Sequence, residues 1–229
     1  MHVELSEATA KLSIFPLLFG TTKLELNAVA GTGTLDAKYN DSDDSKHVEA
    51  ELDALDIGQL GLASFVGLPL KGKVSGSIEL NLPDNVTKAT GTIKLQVRGL
   101  KVGDGKAKVK PPGMPGGLTL DEVEAGKLEL SIEVRDGIAK LTRLTTDGKD
   151  LKLSGKGNVR LADPLKRSRP DINLELTFSD TYKNKSDRTK AMFELLQLRP
   201  EWQRATTPDG TMHVHVGGTF LAIRGGPGR

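Results

Sequence analysis

Two histidines near the C-terminus have the clearest capacity for chemistry. His213 and His215 stand two positions apart in a segment that alternates polar and apolar residues. Because side chains two apart on a strand share a face, both imidazoles point the same way, as ligands of one metal must. Met212, Val214 and Val216 alternate with them as the core-facing set. We therefore expect both histidines on a solvated outer face and predict no metal site.

A group of carboxylates is the second candidate for chemistry. Asp121, Glu122 and Glu124 supply the paired acids that general acid–base catalysis uses, but the residues near them offer no evident nucleophile or aromatic platform for a substrate. Gly31-Thr32-Gly33-Thr34 lacks the lysine and the following helix of a phosphate-binding loop. We expect a non-catalytic protein without a cofactor.

A second acidic segment is similar to the start of a calcium-binding loop. It contains Asp41, Asp43 and Asp44, but Lys46 stands where the sharp turn of such a loop needs glycine. Leu52 stands where the bidentate glutamate belongs. The segment is therefore interpreted as a solvated acidic turn.

Alternation of apolar and polar residues predicts the elements that position these groups. The pattern is seen at Leu24 to Ala30, Ile78 to Leu82, Ile93 to Val97, Leu128 to Val134, Leu151 to Leu153, Val159 to Leu161, Ile172 to Phe178 and Met212 to Val216. Period-two alternation is typical of antiparallel strands with one buried and one wet face. We predict an all-β fold: a long curved or folded antiparallel sheet, as a meander, a groove or a sandwich, with one or two short helices.

Two segments have helical spacing. Ser186 to Leu198 has an N-capping serine and an apolar stripe, and Pro200 follows its end. Asp56 to Phe65 is shorter and ends before Gly67. We predict a helix at each.

We predict one domain over residues 1–229. A proline- and glycine-rich loop at 110–117 divides the sequence into two units of similar pattern, about 1–109 and 118–224. Residues 225–229 are predicted to form a flexible tail.

Composition excludes several classes of function. The net charge of +2 provides no strong field for nucleic acid, and without cysteine there is no disulfide or thiolate site. The longest uncharged stretch, Ile57 to Leu70, is too short to cross a bilayer. Met1 to Val3 lead directly into strand-like sequence, so we expect any targeting segment to lie outside the sequence given.

Several glycine-containing motifs carry a family resemblance. The stretch from Leu55 to Gly76 resembles envelope proteins with the AsmA-type β architecture. The second half resembles the N protein family of the type II secretion system, in motifs that include Gly117-Leu118-Thr119-Leu120, Gly126-Lys127-Leu128-Glu129-Leu130, Gly148-Lys149-Asp150-Leu151, Gly155-Lys156-Gly157 and Leu161-Ala162-Asp163-Pro164-Leu165. The resemblance extends over roughly residues 31–221.

Membership of this family implies a periplasmic domain anchored to the bacterial inner membrane by an N-terminal helix, which we expect to lie outside the sequence given. It also implies a role in export of folded proteins across the outer membrane, with other secretion subunits as partners.

The apolar strand faces leave a second function open. They form either a closed core or an AsmA-like groove that binds or transfers lipid. The predicted groove residues lie on two strands: Leu128, Leu130, Ile132, Val134, Ile172, Leu174, Leu176 and Phe178.

Overall fold

A single long antiparallel sheet dominates the structure, a computed structural model that describes residues 7–13, 22–30, 32–42, 45–60, 67–109, 118–119 and 121–228. Twelve strands follow one another in chain order across this sheet, and each pairs antiparallel with the next. The predicted all-β meander is confirmed. A separate two-stranded ribbon accompanies it.

The strands are β1 (Glu7–Ser13), β2 (Thr22–Ala30), β3 (Gly33–Ser42), β4 (Ser45–Asp56), β5 (Leu70–Pro83), β6 (Thr90–Val102), β7 (Lys108–Val109), β8 (Leu118–Thr119), β9 (Val123–Arg135), β10 (Ile138–Thr146), β11 (Leu151–Arg160), β12 (Arg169–Phe178), β13 (Thr211–Thr219) and β14 (Ala222–Pro227). Strands β7 and β8 form the ribbon, and the other twelve form the sheet.

The sheet continues across the proline- and glycine-rich segment. Strand β6 pairs directly with β9, from Gly91 opposite Val134 to Val102 opposite Val123. Residues 110–117 themselves lie outside the described residues. The two predicted units therefore join in one ladder of hydrogen bonds. The prediction of a flexible tail from residue 225 is wrong for residues 225–227, because these residues form the end of β14 and pair with β13.

The α-helices of the described residues all lie between β12 and β13. They are α1 (Asp180–Lys183), α2 (Asp187–Gln197) and α3 (Pro200–Ala205). Helix α2 confirms the first helix prediction, and the Ser186 hydroxyl caps it by accepting a hydrogen bond from the Thr189 backbone at 3.1 Å.

The second helix prediction is confirmed in part. Asp56 ends β4, and Ile57–Leu60 forms a short 3-10 helix, while residues 61–66 lie outside the described residues. Helices α1 and α3 were not predicted. Pro200 begins α3 instead of merely following α2, because proline is tolerated in the first turn of a helix.

The sheet has two distinct ends. At one end, called here the turn end, short connections join β3 to β4, β5 to β6, β9 to β10, β11 to β12 and β13 to β14. At the other, the helical end, α1, α2 and α3 cover the strands.

The main core lies at the helical end. Its buried residues come from β4, β5, β6, β9, β11 and the helices, and they include Val74, Val97, Tyr182 and Phe193. The rings of Phe178 and Phe193 meet edge to face with centroids 5.2 Å apart. A smaller cluster lies near the turn end, around Ala89, Val134 and Ala139. Apolar side chains are therefore buried near both ends of this face of the sheet.

Candidate functional site

The predicted groove residues share one face of the sheet. Ile132 of β9 lies opposite Ile93 of β6, and Leu130 lies opposite Leu95. On the other side, Leu174 of β12 lies opposite Val214 of β13. Strands β10 and β11 separate the β9 and β12 sets, and the register through these strands keeps both sets on the same face.

The structure distributes these eight residues over three environments. Leu128, Leu176 and Phe178 pack against the main core. Val134 is buried in the smaller cluster, and Ile132 packs against it. Leu130, Ile172 and Leu174 belong to neither cluster and remain partly exposed.

The last three residues belong to a longer apolar row that crosses the sheet between the two clusters. All its members are partly exposed and belong to neither cluster. We call this row the central apolar stripe: Leu26, Ala37, Ala50, Ile78, Ile93, Leu130, Leu144, Ile172, Leu174, Val214 and Val216. Its members come from nine of the ten neighbouring strands β2 to β6 and β9 to β13, and at β11 the row contains Gly155, which lies opposite Leu174. At about 4.8 Å between strands, the stripe is about 40 Å long.

Sequence reasoning placed only the β9 and β12 members in the candidate site. The members on β2 to β6 had the same alternation, so the signal was present. The sequence does not indicate that β6 pairs with β9, and this pairing joins both halves into one apolar row.

The two histidines lie on the opposite, polar face. His215 is exposed, and its Nδ1 lies 3.3 Å from the side-chain oxygen of Asn173 on β12. A carboxylate oxygen of Asp171 is 3.8 Å from the same nitrogen. Among the described residues, no three histidine or acidic side chains come together as a metal site would need.

The three carboxylates before β9 and at its start all have partners within the fold. Glu122 accepts from Lys71 at 2.7 Å and from Lys101 at 3.0 Å, and these ammonium groups lower the pKa of its carboxyl. Glu124 pairs with Lys149 at 2.8 Å. These ion pairs link the start of β9 to β5, β6 and the β10–β11 turn.

Asp121 holds helix α2. Its carboxylate accepts hydrogen bonds from the hydroxyls of Ser186 and of Thr189, the latter at 2.7 Å. These bonds lower the pKa of Asp121. The buried Tyr182 hydroxyl donates to the Asp121 carbonyl oxygen at 2.8 Å. Asp121 therefore connects the helices to the sheet.

Asp150 is a buried carboxylate that sequence reasoning did not single out. Only 4% of the residue is exposed. It accepts a hydrogen bond from the backbone of Glu124 at 3.0 Å, and the Lys185 ammonium lies 3.6 Å away. It fixes the β10–β11 turn against the start of β9.

Asp41, from the acidic turn, accepts a hydrogen bond from the Tyr39 hydroxyl at 2.9 Å. Asp43 and Asp44 lie outside the described residues.

Comparisons with protein families, curated proteins and solved structures found no match to this chain. Within the described ranges, no helix has the length and apolar character needed to cross a membrane.

Proposed function

We propose that this chain is a non-catalytic periplasmic domain of an inner-membrane component of the type II secretion system. In this proposal it is similar to the N protein and supports export of folded proteins across the outer membrane by binding other secretion subunits. The proposal rests on the motifs of the second half and on the single long antiparallel sheet that contains them.

The observation that carries the proposal is the contact of the motif Gly148-Lys149-Asp150 with the start of β9. All three residues contact the start of β9: Lys149 and Asp150 bind Glu124, and Gly148 lies against the backbone of Ala125. A Cβ at Gly148 would lie only 2.3 Å from the Ala125 carbonyl carbon. Gly126, in the next motif, has a φ of +72° and faces Gly148. The motifs that carry the resemblance therefore shape one junction of the sheet.

The edge of the sheet supports a binding role. Strand β14 is the last strand in the sheet order, and among the described residues only β13 pairs with it. An unpaired edge presents backbone donors and acceptors to an added strand of a partner. The β14 side chains from Ala222 to Arg224 are exposed.

In-cell photocrosslinking tests this proposal. A photoreactive phenylalanine analogue at Arg224, on β14, should give adducts with type II secretion subunits, identified by mass spectrometry. A matched position is Thr142, exposed on the central strand β10, which should give few adducts. Adducts at Arg224 only with proteins outside the secretion system would contradict the proposal.

A second candidate function is binding of lipid acyl chains, and the central apolar stripe favours it. Water contact with so many branched alkyl side chains is unfavourable, and large exposed apolar patches commonly mark binding sites. Leu26, at one end of the stripe, and Val216, at the other, are both partly exposed. The stripe is long enough for an extended acyl chain.

Native mass spectrometry of the gently extracted protein tests this second function. Wild type should carry lipid, and Leu130→Asp should lose it. Ser131→Asp places the same charge on the polar face of the same strand, one residue away, and should keep the lipid. Lipid-free wild type, or equal loss in both variants, would contradict acyl-chain binding.

A further inference from the structure

Several large apolar side chains are exposed at the turn end of the sheet. Five of them lie in or beside the β9–β10, β11–β12 and β13–β14 connections, with exposed fractions of 44% for Ile138, 45% for Leu165, 40% for Phe220, 65% for Leu221 and 43% for Ile223. The other large apolar residues of the described chain with comparable exposure are Leu24, Leu195 and Leu198. We call the five residues the apolar tip.

Backbone hydrogen bonds hold these connections together. The Phe220 amide donates to the Ser168 carbonyl and the Leu221 amide to the Lys166 carbonyl, each at 3.1 Å. The connection after β11 is joined to the β9–β10 turn by a 2.8 Å bond from the Leu161 amide to the Gly137 carbonyl. The three connections are therefore hydrogen-bonded to one another at the turn end instead of forming separate loops.

The residues at the tip of the last hairpin are unusual for a turn. Thr219 pairs with Ala222, so Phe220 and Leu221 are the two turn residues. Tight turns favour glycine, asparagine, aspartate, proline and serine. A phenylalanine and a leucine add nothing to turn geometry, and here they are not buried in the core. Their exposure indicates a binding role.

Unpaired cations lie in and beside the β11–β12 connection, next to Leu165 of the apolar tip. Lys166, Arg167 and Arg169 are all exposed, and none forms an ion pair with a described residue. Residues 160–169 contain four cations and one carboxylate, which gives this connection a net charge of +3.

We propose that the apolar tip binds the surface of an anionic phospholipid bilayer. Phe220 and Leu221 enter the boundary between headgroups and acyl chains, where aromatic and aliphatic side chains at the end of a polar structure partition favourably. The unpaired lysine and arginines bind lipid phosphates. Both requirements of stable peripheral attachment, an apolar anchor and a basic patch, occur at this end of the sheet.

This proposal is independent of the role in secretion. Vesicle binding by the purified chain tests the apolar tip, whereas crosslinks at Arg224 to secretion subunits test the proposed function. Either result can fail without the other.

Co-sedimentation with vesicles tests the proposal. The purified chain should bind vesicles of phosphatidylcholine with 30% phosphatidylglycerol much more tightly than vesicles of phosphatidylcholine alone, and salt should weaken the binding. Phe220→Ser with Leu221→Ser should reduce affinity about tenfold. Lys166→Ala with Arg167→Ala should reduce it about 25-fold at low salt, since each cation near an anionic surface contributes about fivefold.

Two matched double variants serve as controls. Leu195→Ser with Leu198→Ser removes exposed apolar residues at the helical end, and Lys152→Ala with Lys156→Ala removes exposed cations from the polar face. Both should bind anionic vesicles like wild type, and thermal unfolding should show that all variants are folded. Equal binding to neutral and anionic vesicles would overturn the proposal. Tip variants that bind anionic vesicles as tightly as the control variants would also overturn it. A protein crosslink at the tip, together with no vesicle binding by wild type, would do the same.

Discussion

The hydroxyl of Thr189 donates a 2.7 Å hydrogen bond to the carboxylate of Asp121, a residue 68 positions earlier in the chain. Thr189 is fully buried in the first turns of α2. Because Asp121 also receives the hydroxyl of Ser186, the residue that caps α2, one carboxylate fixes the start of this helix to the sheet.

Asp121→Ala should therefore destabilise the protein. It leaves two hydroxyls without their acceptor, and losing hydrogen bonds to a charged group costs about 2–3 kcal/mol. Asp84→Ala, which removes an exposed carboxylate in the β5–β6 connection, should change the free energy of unfolding by less than about 0.5 kcal/mol. Urea denaturation measures both. Equal effects would mean that Asp121 does not hold α2.

Acid should weaken the fold through the same region. The hydrogen bonds to Asp121, and the ammonium groups beside Glu122, lower the pKa of each carboxyl below its ordinary value, 3.8 for aspartate and 4.5 for glutamate. A lowered pKa in the folded state contributes stability above the unfolded value, and this is lost as the pH falls through the folded value. Unfolding free energy should thus decline below about pH 4.5. Asp121→Asn should show a shallower decline, and an unchanged slope would contradict this assignment.

The buried hydroxyl of Tyr182 offers a test of the helix-to-sheet contact. Tyr182→Phe keeps the ring against Phe178 but leaves the Asp121 carbonyl without its donor, at a cost of about 1–2 kcal/mol. The matched change is Tyr39→Phe, whose hydroxyl binds only the solvent-accessible Asp41, and it should cost less than about 0.5 kcal/mol. Thermal unfolding measures the stability of both variants. A larger loss of stability in Tyr39→Phe than in Tyr182→Phe would contradict this prediction.

Gly148 should not tolerate a side chain. In Gly148→Ala, the new methyl group would meet the backbone of Ala125 and Glu124 at about 2.3 Å, so the β10–β11 turn would have to move. We expect a loss of about 3 kcal/mol. Gly225→Ala is the matched control, because the same methyl would meet nothing within 4 Å there. A Gly148→Ala protein as stable as the control would show that this junction is not tightly packed.

The alternation of apolar residues predicted the sheet well, because period two depends only on which face of a strand is buried. It also assigned His213 and His215 to the polar face, where the structure places them. The capping residue and spacing of Ser186 to Leu198 were likewise local signals, and they predicted α2 to within one residue at each end.

Long-range pairing was not predictable from these local signals. Nothing near Asp121 indicates that its partner is Thr189, and nothing near Leu26 indicates that it shares a row with Val216. Helix α1, Asp180–Lys183, is too short to show a periodic pattern. The apolar tip depends on hydrogen bonds from the Phe220 and Leu221 amides to the β11–β12 connection, which no local pattern in the sequence indicates.

Export of a type II secretion substrate from a strain that lacks this gene is the decisive test of the proposed role in secretion. Substrate should accumulate in the periplasm, its extracellular yield should fall, and the wild-type gene should restore export. Normal extracellular yield from a clean deletion strain would contradict a role in secretion.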